Sequence, residues 1–323
     1  MFCESAVVRQ IECEMSSYLD GVQMKRLHEC LVRITGEPMA DSASNDELLR
    51  DFLNAKAVEG CSPRTIQYYT VTLERFIAAL DLPLHSVDTA EVRSYLASLG
   101  STETVSNVTL DNIRRVISSF FSWLEEEEII YKSPVKRIRK IRSVAAVKPV
   151  ITDEEMEVIR DSCGNLRDRA VIDLLASTGM RVGELVRLKR KDIDFESREC
   201  VVHGKGNKQR KVYFDAKTKI HLQGYLEQRS DENSSLFVSL RAPYKPLNIS
   251  GVESRLREIG REAVGLRLHP HKFRRTMATR AIDKGMPIEQ VQVLLGHSKI
   301  DTTLCYAMVD QQNVKRSHHK YMS

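Results

Sequence analysis

The chain has 323 residues, of which 42% are hydrophobic and 29% are charged. This length predicts two domains with a buried core, and the composition excludes a disordered, collagen-like or low-complexity chain. Seven scattered cysteines include no CxxC pair, which argues against a zinc cage or a disulfide framework and predicts free thiols. No segment reaches the ~18 uncharged apolar residues of a bilayer span. Glu4 and Arg9 interrupt the position of a signal peptide's apolar core, so we expect a cytoplasmic protein.

The net charge of +5 is unevenly distributed along the chain. Residues 1–150 contain 18 basic and 21 acidic residues, whereas residues 151–323 contain 31 basic and 23 acidic residues. A basic second half predicts a polyanionic partner, because neutralised phosphates supply most sequence-independent binding energy. Charge alone does not distinguish DNA, RNA and acidic protein.

The first half of the chain predicts a helical extension followed by a helical domain. Residues 1–40 form the extension, whose purpose the sequence does not define; apolar positions in 5–35 indicate one or two amphipathic helices. A polar linker at 36–45 leads into the domain, residues 44–142. Ser62 and Pro63 are an N-cap and first-turn proline, and another helix runs from Asp88 or Thr89 to Gly100. A long apolar stripe contains Leu110, Ile113, Ile117, Phe120, Phe121 and Leu124.

The second half predicts an α+β domain over residues 151–323, joined by a linker at 143–150 that ends at a helix cap, Thr152. Two helices precede RVGEL, after which the pattern alternates: DIDFE, ECVVH and KVYFD are short strands, and GKGNKQR is a hairpin turn. Helices then begin near His271, at Pro287 with an end at Gly296, and near Asp301 to Val309. The predicted fold class is mainly α with a small antiparallel sheet.

Four polar clusters in the second half carry the candidate chemistry. They are TGMRVGEL with Arg181 and Glu184, HGKGNKQR with Lys205, HPHKFRR with His271 and Arg274, and LLGHSKIDTTLCYAMV with His297 and Tyr306. Nearly all of these side chains are hydrogen-bond donors, which suits a phosphate-like transition state better than a carbonyl or a sugar. None of the clusters has a known metal-ligand spacing.

Each cluster alone also has an ordinary structural interpretation. Arg181 and Glu184 can be an exposed helical ion pair, GKGNK a simple hairpin, and Tyr306 a half-buried tyrosine. His271 can begin a helix without reacting. Zinc binding by His269 with His271, or by His318 with His319, lacks neighbouring cysteine or acidic ligands.

Taken together, the clusters resemble the tyrosine recombinase (phage integrase) family, including its Xer-type members, over residues 45–310. GHSKIDTTLCYAMV reproduces the family's Gly-His, Thr-Thr and Tyr, and the two arginines and the hairpin lysine follow in the family's order. Arg275 stands where many members have histidine, and Phe273 replaces a common leucine. Neither departure removes a reacting group.

The resemblance implies a site-specific DNA recombinase that cleaves and rejoins strands through a 3′-phosphotyrosine, without a metal or other cofactor. In this scheme Tyr306 is the nucleophile, Arg181 and Arg274 hold the phosphate, and His271 accepts the tyrosine proton. Lys205 protonates the leaving oxygen, His297 contacts the phosphate or Tyr306, and Glu184 is a supporting residue. The natural task can be integration or excision of a mobile element, inversion or dimer resolution, and the target sequence is not evident.

The expected partner is double-stranded DNA carrying specific recombination sites, gripped by a SAM-like core-binding domain and the catalytic domain. A homotetramer on two sites is expected, with the segment after Tyr306 exchanged between protomers, and no membrane is involved. Predicted core-domain contacts lie at a helix N-terminus and in a basic segment, where a solvated surface is the alternative. They are Ser62, Arg64, Thr65, Tyr68, Lys136, Arg137, Arg139 and Lys140.

Two other functions use overlapping features. A type IB topoisomerase shares the phosphate chemistry but relaxes one duplex without a defined target sequence. A DNA-binding regulator that has lost catalysis would form no covalent DNA adduct, and the complete set of candidate residues argues against it.

Overall fold

The computed structural model describes residues 4–35, 44–80, 82–101, 105–142, 149–204, 209–297 and 300–304. The chain forms two compact units that divide between residues 146 and 147. This division falls within the predicted linker, 143–150, most of which lies outside the described residues. Of the described helices, none combines the length and the apolar character needed to cross a bilayer.

The first unit begins with two helices, α1 (Glu4–Met15) and α2 (Gly21–Thr35), which pack against each other. Glu12 on α1 is only 1% exposed. Its carboxylate contacts His28 Nδ1 on α2 at 2.7 Å and accepts a hydrogen bond from the hydroxyl of Tyr131. A buried carboxylate therefore joins the N-terminal helices to the end of the helical domain.

Four further helices build that domain: α3 (Asn45–Val58), α4 (Pro63–Leu80), α5 (Thr89–Ser101) and α6 (Asn107–Glu126). Ser62 accepts from the Thr65 amide at 3.2 Å, as its predicted capping role requires, and Asp88 caps α5. Helix α5 continues one residue beyond the predicted end at Gly100. The apolar stripe of α6 is buried, apart from the half-buried Ile113, and meets Phe52 of α3, whose ring centre lies 5.0 Å from that of Phe120.

The second unit contains α7 (Asp153–Asp161), α8 (Leu166–Thr178), α9 (Val182–Leu185), α10 (Ala216–Glu227), α11 (Ile249–Val264), α12 (Pro270–Asp283), α13 (Ile288–Leu295) and α14 (Asp301–Leu304). A three-stranded antiparallel sheet, ordered β1 (Ile193–Asp194), β2 (Glu199–His203) and β3 (Gln209–Tyr213), lies between α9 and α10 in the chain. The predicted cap at Thr152 forms a capping box with Glu155. This architecture confirms the predicted fold class.

Helix α8 is the centre of this unit and is buried around most of its circumference. Ala170, Ile172, Leu174 and Leu175 are all fully buried, and α8 packs against α7, α10 and α12. The C-terminus of α8 is therefore held firmly by the core, which makes it a rigid support for the loop that follows.

One predicted strand is much shorter than expected. In DIDFE only Ile193 and Asp194 pair with β2, because Asp194 turns the chain by accepting hydrogen bonds from the amides of Glu196 and Ser197, both at 2.9 Å. Phe195 leaves the strand and packs on the core instead.

Candidate active site

Two glycines end the helices that frame the site. Gly179 follows α8 with φ +61° and Gly296 follows α13 with φ +63°, both in the left-handed region that favours glycine. A Cβ atom on Gly296 would lie 3.0 Å from Cδ of Arg210. Glycine therefore ends α13 with the required backbone conformation and lets an arginine approach closely.

Arg274 joins the ends of these two helices. It projects from α12, is 2% exposed, and donates from Nη1 to the Gly179 carbonyl at 2.7 Å and from Nη2 to the Leu295 carbonyl at 2.6 Å. Helix C-termini carry partial negative charge, so a guanidinium group is stabilised there. Packing and hydrogen bonds thus hold Arg274 in one position.

Arg181 also contacts the C-terminal end of α13. It is the N-cap of α9, and its Nη2 donates to the Gly296 carbonyl at 3.2 Å. Its Nη1 donates to Glu184 Oε1 at 3.0 Å, and its backbone amide donates to Glu184 Oε2 at 2.8 Å. The Arg181 side chain is 39% exposed, so it remains accessible to a ligand.

Glu184 is buried, at 4% exposure, and the interpretation of Arg181 and Glu184 as an exposed ion pair is therefore wrong. Arg210 on β3 donates from Nη1 and Nη2 to the two carboxylate oxygens of Glu184, each at 2.7 Å. Burial opposes ionisation of Glu184, but the hydrogen bonds from Arg210 and Arg181 outweigh it and lower the pKa. Glu184 is thus a fixed anion between two arginines.

His297 follows Gly296 directly, and its Nδ1 lies 2.9 Å from the hydroxyl of Thr303, a fully buried residue of the short helix α14. Burial, together with the positive charges of Arg274, Arg181 and Arg210, lowers the pKa of His297 to about 4. The imidazole is therefore neutral at pH 7.

His271 lies at the start of α12, one turn before Arg274. Partial burial lowers the pKa of His271, and the charges of Arg274, Arg181 and Arg275 lower it further, while Glu253 opposes them. A lowered pKa keeps the ring in its neutral, proton-accepting form at neutral pH.

The structure thus brings Arg181, Glu184, Arg274 and His297 together at the C-terminal end of α13, with His271 within electrostatic range. Lys205 and Tyr306 lie outside the described residues. The described chain stops at Gly204, directly before Lys205, and at Leu304, two residues before Tyr306.

One residue of this region, Arg210, was not singled out from the sequence. Arg210 carried a readable signal. It lies two residues before Val212, on the same face of β3, and pairs across the sheet with Val202, and both valines are buried. A charged residue on the inward face of a strand indicates a buried partner of opposite charge. Thr303 belongs to the Thr-Thr pair on which the family resemblance rested, but its contact with His297 was not predicted.

The predicted core-domain contacts occupy two places on the first unit. Arg64 and Tyr68 are exposed on the first turns of α4, whereas Ser62 and Thr65 hydrogen-bond to each other at 2.8 Å while capping that helix.

The basic segment is attached to the helical domain through its apolar residues and backbone. Val135 is 1% exposed, and the Ile141 amide donates to Asp111 at 3.0 Å. Lys136 contacts Glu125 at 2.6 Å. All four predicted basic contacts are exposed: Lys136, Arg137, Arg139 and Lys140.

Among the described residues, no three His, Cys, Asp or Glu side chains are grouped so as to hold a metal ion. The pair His269 and His271 therefore lacks a third ligand within the described chain, and His318 and His319 lie outside it.

Both units of the chain match known protein families. The phage integrase family profile matches residues 149–313, and the N-terminal SAM-like domain of phage integrases matches residues 48–130. Tyrosine recombinase XerC of Staphylococcus aureus (strain USA300 / TCH1516) is 30% identical over 279 residues, which cover 82% of this chain and 93% of the relative. Tyrosine recombinase XerC of Leptospira interrogans (strain Fiocruz L1-130) is 31% identical over 299 residues, covering 88% and 95%.

A solved structure shares the fold. The XerH site-specific recombinase, in a post-cleavage complex with a palindromic difH substrate, superimposes with a TM-score of 0.68 at 21% identity, covering 98% of this chain and 95% of that one. The arginine cluster lies within the matched 149–313 region, and the relatives match the chain across both units. The chain belongs to the phage integrase family, as its motifs indicated.

Proposed function

We propose that this protein is a tyrosine-type site-specific DNA recombinase, which cleaves and rejoins DNA strands through a 3′-phosphotyrosine intermediate. The observation that carries the proposal is the convergence of Arg181, Arg274 and His297 on the C-terminal end of α13. Membership in the phage integrase family and the similarity to XerC recombinases support the same activity.

The charge of the site suits phosphoryl transfer. Arg181, Arg210 and Arg274 contribute three positive charges, Glu184 contributes one negative charge, and His297 is neutral. A phosphodiester carries one negative charge and gains a second as an oxygen nucleophile attacks. Preorganised arginines stabilise that added charge without rearranging, and arginine offers two parallel donors to phosphate oxygens.

Tyr306 supplies the nucleophile in this scheme. Its phenol oxygen forms a bond to the scissile phosphorus as the bond from phosphorus to the 5′-oxygen breaks, so no high-energy cofactor is consumed. A free tyrosine with a pKa near 10 is only about a thousandth ionised at pH 7, so a proton acceptor is required. His271 takes this proton, and its lowered pKa supports that role.

Lys205 donates a proton to the departing 5′-oxygen. We expect Lys205→Ala to slow cleavage of an ordinary phosphodiester by about 100-fold or more, the range typical of general acid catalysis. A 5′-bridging phosphorothiolate has a leaving group that needs no proton and is expected to restore most of the rate. Single-turnover cleavage of the two substrates measures this, and an equal defect on both would remove Lys205 from the role.

Sequencing of covalently bound DNA tests the activity itself. The protein is incubated with host genomic DNA, denatured rapidly, and the DNA attached to it is sequenced. We expect one or a few sites with inverted-repeat arms, each with a free 5′-hydroxyl at the break. Adducts at unrelated sequences would indicate a type IB topoisomerase, and no adduct would indicate a regulator without catalysis.

Both domains bind the DNA in this scheme: residues 44–142 are the core-binding domain, and residues 151–323 are the catalytic domain. Arg64, Tyr68 and the basic segment contact phosphates, which their exposure supports. Ser62 and Thr65 contribute through the α4 N-terminus that they cap.

Combined substitution of Arg137, Arg139 and Lys140 by alanine tests these contacts. The slope of log affinity against log salt is expected to fall by about 0.9 for each lost phosphate contact. Lys217→Ala is the control, because that exposed lysine pairs with Glu157 in the second unit. An unchanged slope in the triple variant would place DNA elsewhere.

Assembly on two DNA sites is the last part of the proposal. A homotetramer in the cytoplasm, in which the segment after Tyr306 docks on a neighbouring protomer, would link cleavage to assembly. Removing residues 311–323 is expected to preserve binding to one site and to eliminate the tetramer, as measured by light scattering. A tetramer formed by the truncated protein would contradict the exchange.

A further inference from the structure

Arg210 is held tightly by its hydrogen bonds. Its side chain is 13% exposed, and all three of its nitrogen atoms donate: Nη1 and Nη2 to Glu184 at 2.7 Å each, and Nε to the Leu294 carbonyl at 2.9 Å. A two-pronged contact of this kind fixes both the distance and the orientation of a carboxylate. Arg210 therefore determines where Glu184 lies.

Through Glu184 and Leu294, Arg210 connects three separate elements of the chain. It lies on β3, five positions after Lys205 in the chain, while Glu184 lies on α9 and binds both the backbone and the side chain of Arg181. The carbonyls of Leu294, Leu295 and Gly296 accept from Arg210, Arg274 and Arg181 respectively. Three consecutive carbonyls thus align three arginines from three elements.

Charge gives Arg210 a second effect. Arg181 and Glu184 alone would be a neutral pair, and Arg210 leaves the trio with one net positive charge. Without Arg210, the full charge of Glu184 would act on Arg181 and draw it away from a phosphate. The attraction acts at a partly buried site, where screening by solvent is weak.

We propose that Arg210 is a positioning residue for DNA strand cleavage, which holds Glu184 so that Arg181 keeps its orientation and its charge for the scissile phosphate. The inference rests on the proposed function. Glu184 then assists cleavage only while Arg210 is present, because without Arg210 its carboxylate draws Arg181 away from the phosphate.

That dependence gives a sharp test on a nicked duplex carrying the site recovered by adduct sequencing. Arg210→Met is expected to slow single-turnover adduct formation by about 10- to 100-fold, which is less than the roughly 100- to 1,000-fold loss when a hydrogen-bond donor to the developing charge is removed outright. Adding Glu184→Gln removes the uncompensated carboxylate and is expected to restore much of the rate. A purely structural role predicts the opposite, with the double variant slower than either single variant.

A second measurement uses a methylphosphonate at the scissile position, in which a methyl group replaces one charged oxygen. Because Arg181 then has less charge to offset, the defect of Arg210→Met is expected to shrink by at least about fivefold. Loss of folding alone would slow both substrates equally. Arg210→Gln removes the charge but keeps an amide donor, and it tests the same inference if the methionine variant does not fold.

Arg229→Met is the matched control. Arg229 is also enclosed, at 4% exposure, pairs with Asp231 and donates to the Ser235 and Leu236 carbonyls, yet it has no contact with the arginine cluster in the described structure. It is expected to lower the melting temperature while folded protein cleaves at the normal rate.

The outcomes separate the inference from the proposed function. If the unsubstituted protein forms no adduct, the proposed function fails. If the unsubstituted protein forms the adduct and Arg210→Met forms it at the same rate, the positioning role is overturned. It is also overturned if adding Glu184→Gln does not restore the rate of Arg210→Met and the methylphosphonate does not reduce the defect of that variant.

Discussion

Replacing Tyr306 with phenylalanine is expected to abolish the covalent DNA adduct and to leave duplex affinity within about threefold of the unsubstituted value. The phenol oxygen is the atom that bonds to phosphorus, whereas affinity is spread over many phosphate contacts. Adduct formation on a nicked duplex, resolved on a denaturing gel, measures the first effect. A gel-shift titration at fixed salt concentration measures the second.

Tyr213→Phe is the control for this experiment. Tyr213 ends β3 and is 53% exposed, so losing its hydroxyl removes no buried contact. The control is expected to form the adduct at the normal rate. An adduct of normal yield from Tyr306→Phe would show that another residue attacks.

Arg274→Ala is expected to have the second large effect, on both cleavage and stability. Losing one preorganised donor to a developing charge costs about 100- to 1,000-fold in rate. Arg274 also bonds to the Gly179 and Leu295 carbonyls, and its loss would leave two buried acceptors without these donors. We expect the free energy of unfolding to fall by about 3 kcal/mol, as for lost hydrogen bonds to a charged group.

Arg274→Lys separates the two effects, because it keeps the charge but cannot span both carbonyls with a rigid fork. It is expected to recover part of the stability and only a small part of the rate. Thermal unfolding and single-turnover cleavage measure these quantities on the same preparations. Cleavage by folded Arg274→Ala at nearly the normal rate would exclude Arg274 from phosphate binding.

Local signals in the sequence predicted the parts of the fold that local chemistry determines. Thr152 forms its capping box, Ser62 caps α4, and Gly296 ends α13 in the left-handed conformation. Each depends on the conformation of a few neighbouring residues, which the residue type alone restricts.

Helices α10 and α11 were not predicted from the sequence, for two different reasons. In α10 the apolar pattern is weak, because Ile220 is 65% exposed while Leu222 and Tyr225 are buried, and Gly224 lowers the helix propensity. In α11 the spacing of Val252, Leu256 and Ile259 is helical, and the signal was present but not assigned.

The site itself was predicted only in part, because its organisation depends on contacts between distant residues. The four motif residues at the end of α13 could be found from spacing and family resemblance. That Arg210 would complete the charge of Glu184, 26 positions away in the chain, follows from how β3 packs beside α13. The pairing of the buried Glu184 carboxylate with two arginines depends on the three-dimensional packing of distant segments, which local sequence patterns do not determine.

Identification of the residue that carries the DNA tests the central claim most directly. The protein is trapped on a nicked duplex of its own site, digested with protease and nuclease, and sequenced by mass spectrometry. We predict a nucleotide 3′-phosphate esterified to the Tyr306 oxygen. The same nucleotide attached to any other residue, or cleaved DNA with no covalently attached peptide, would contradict the account.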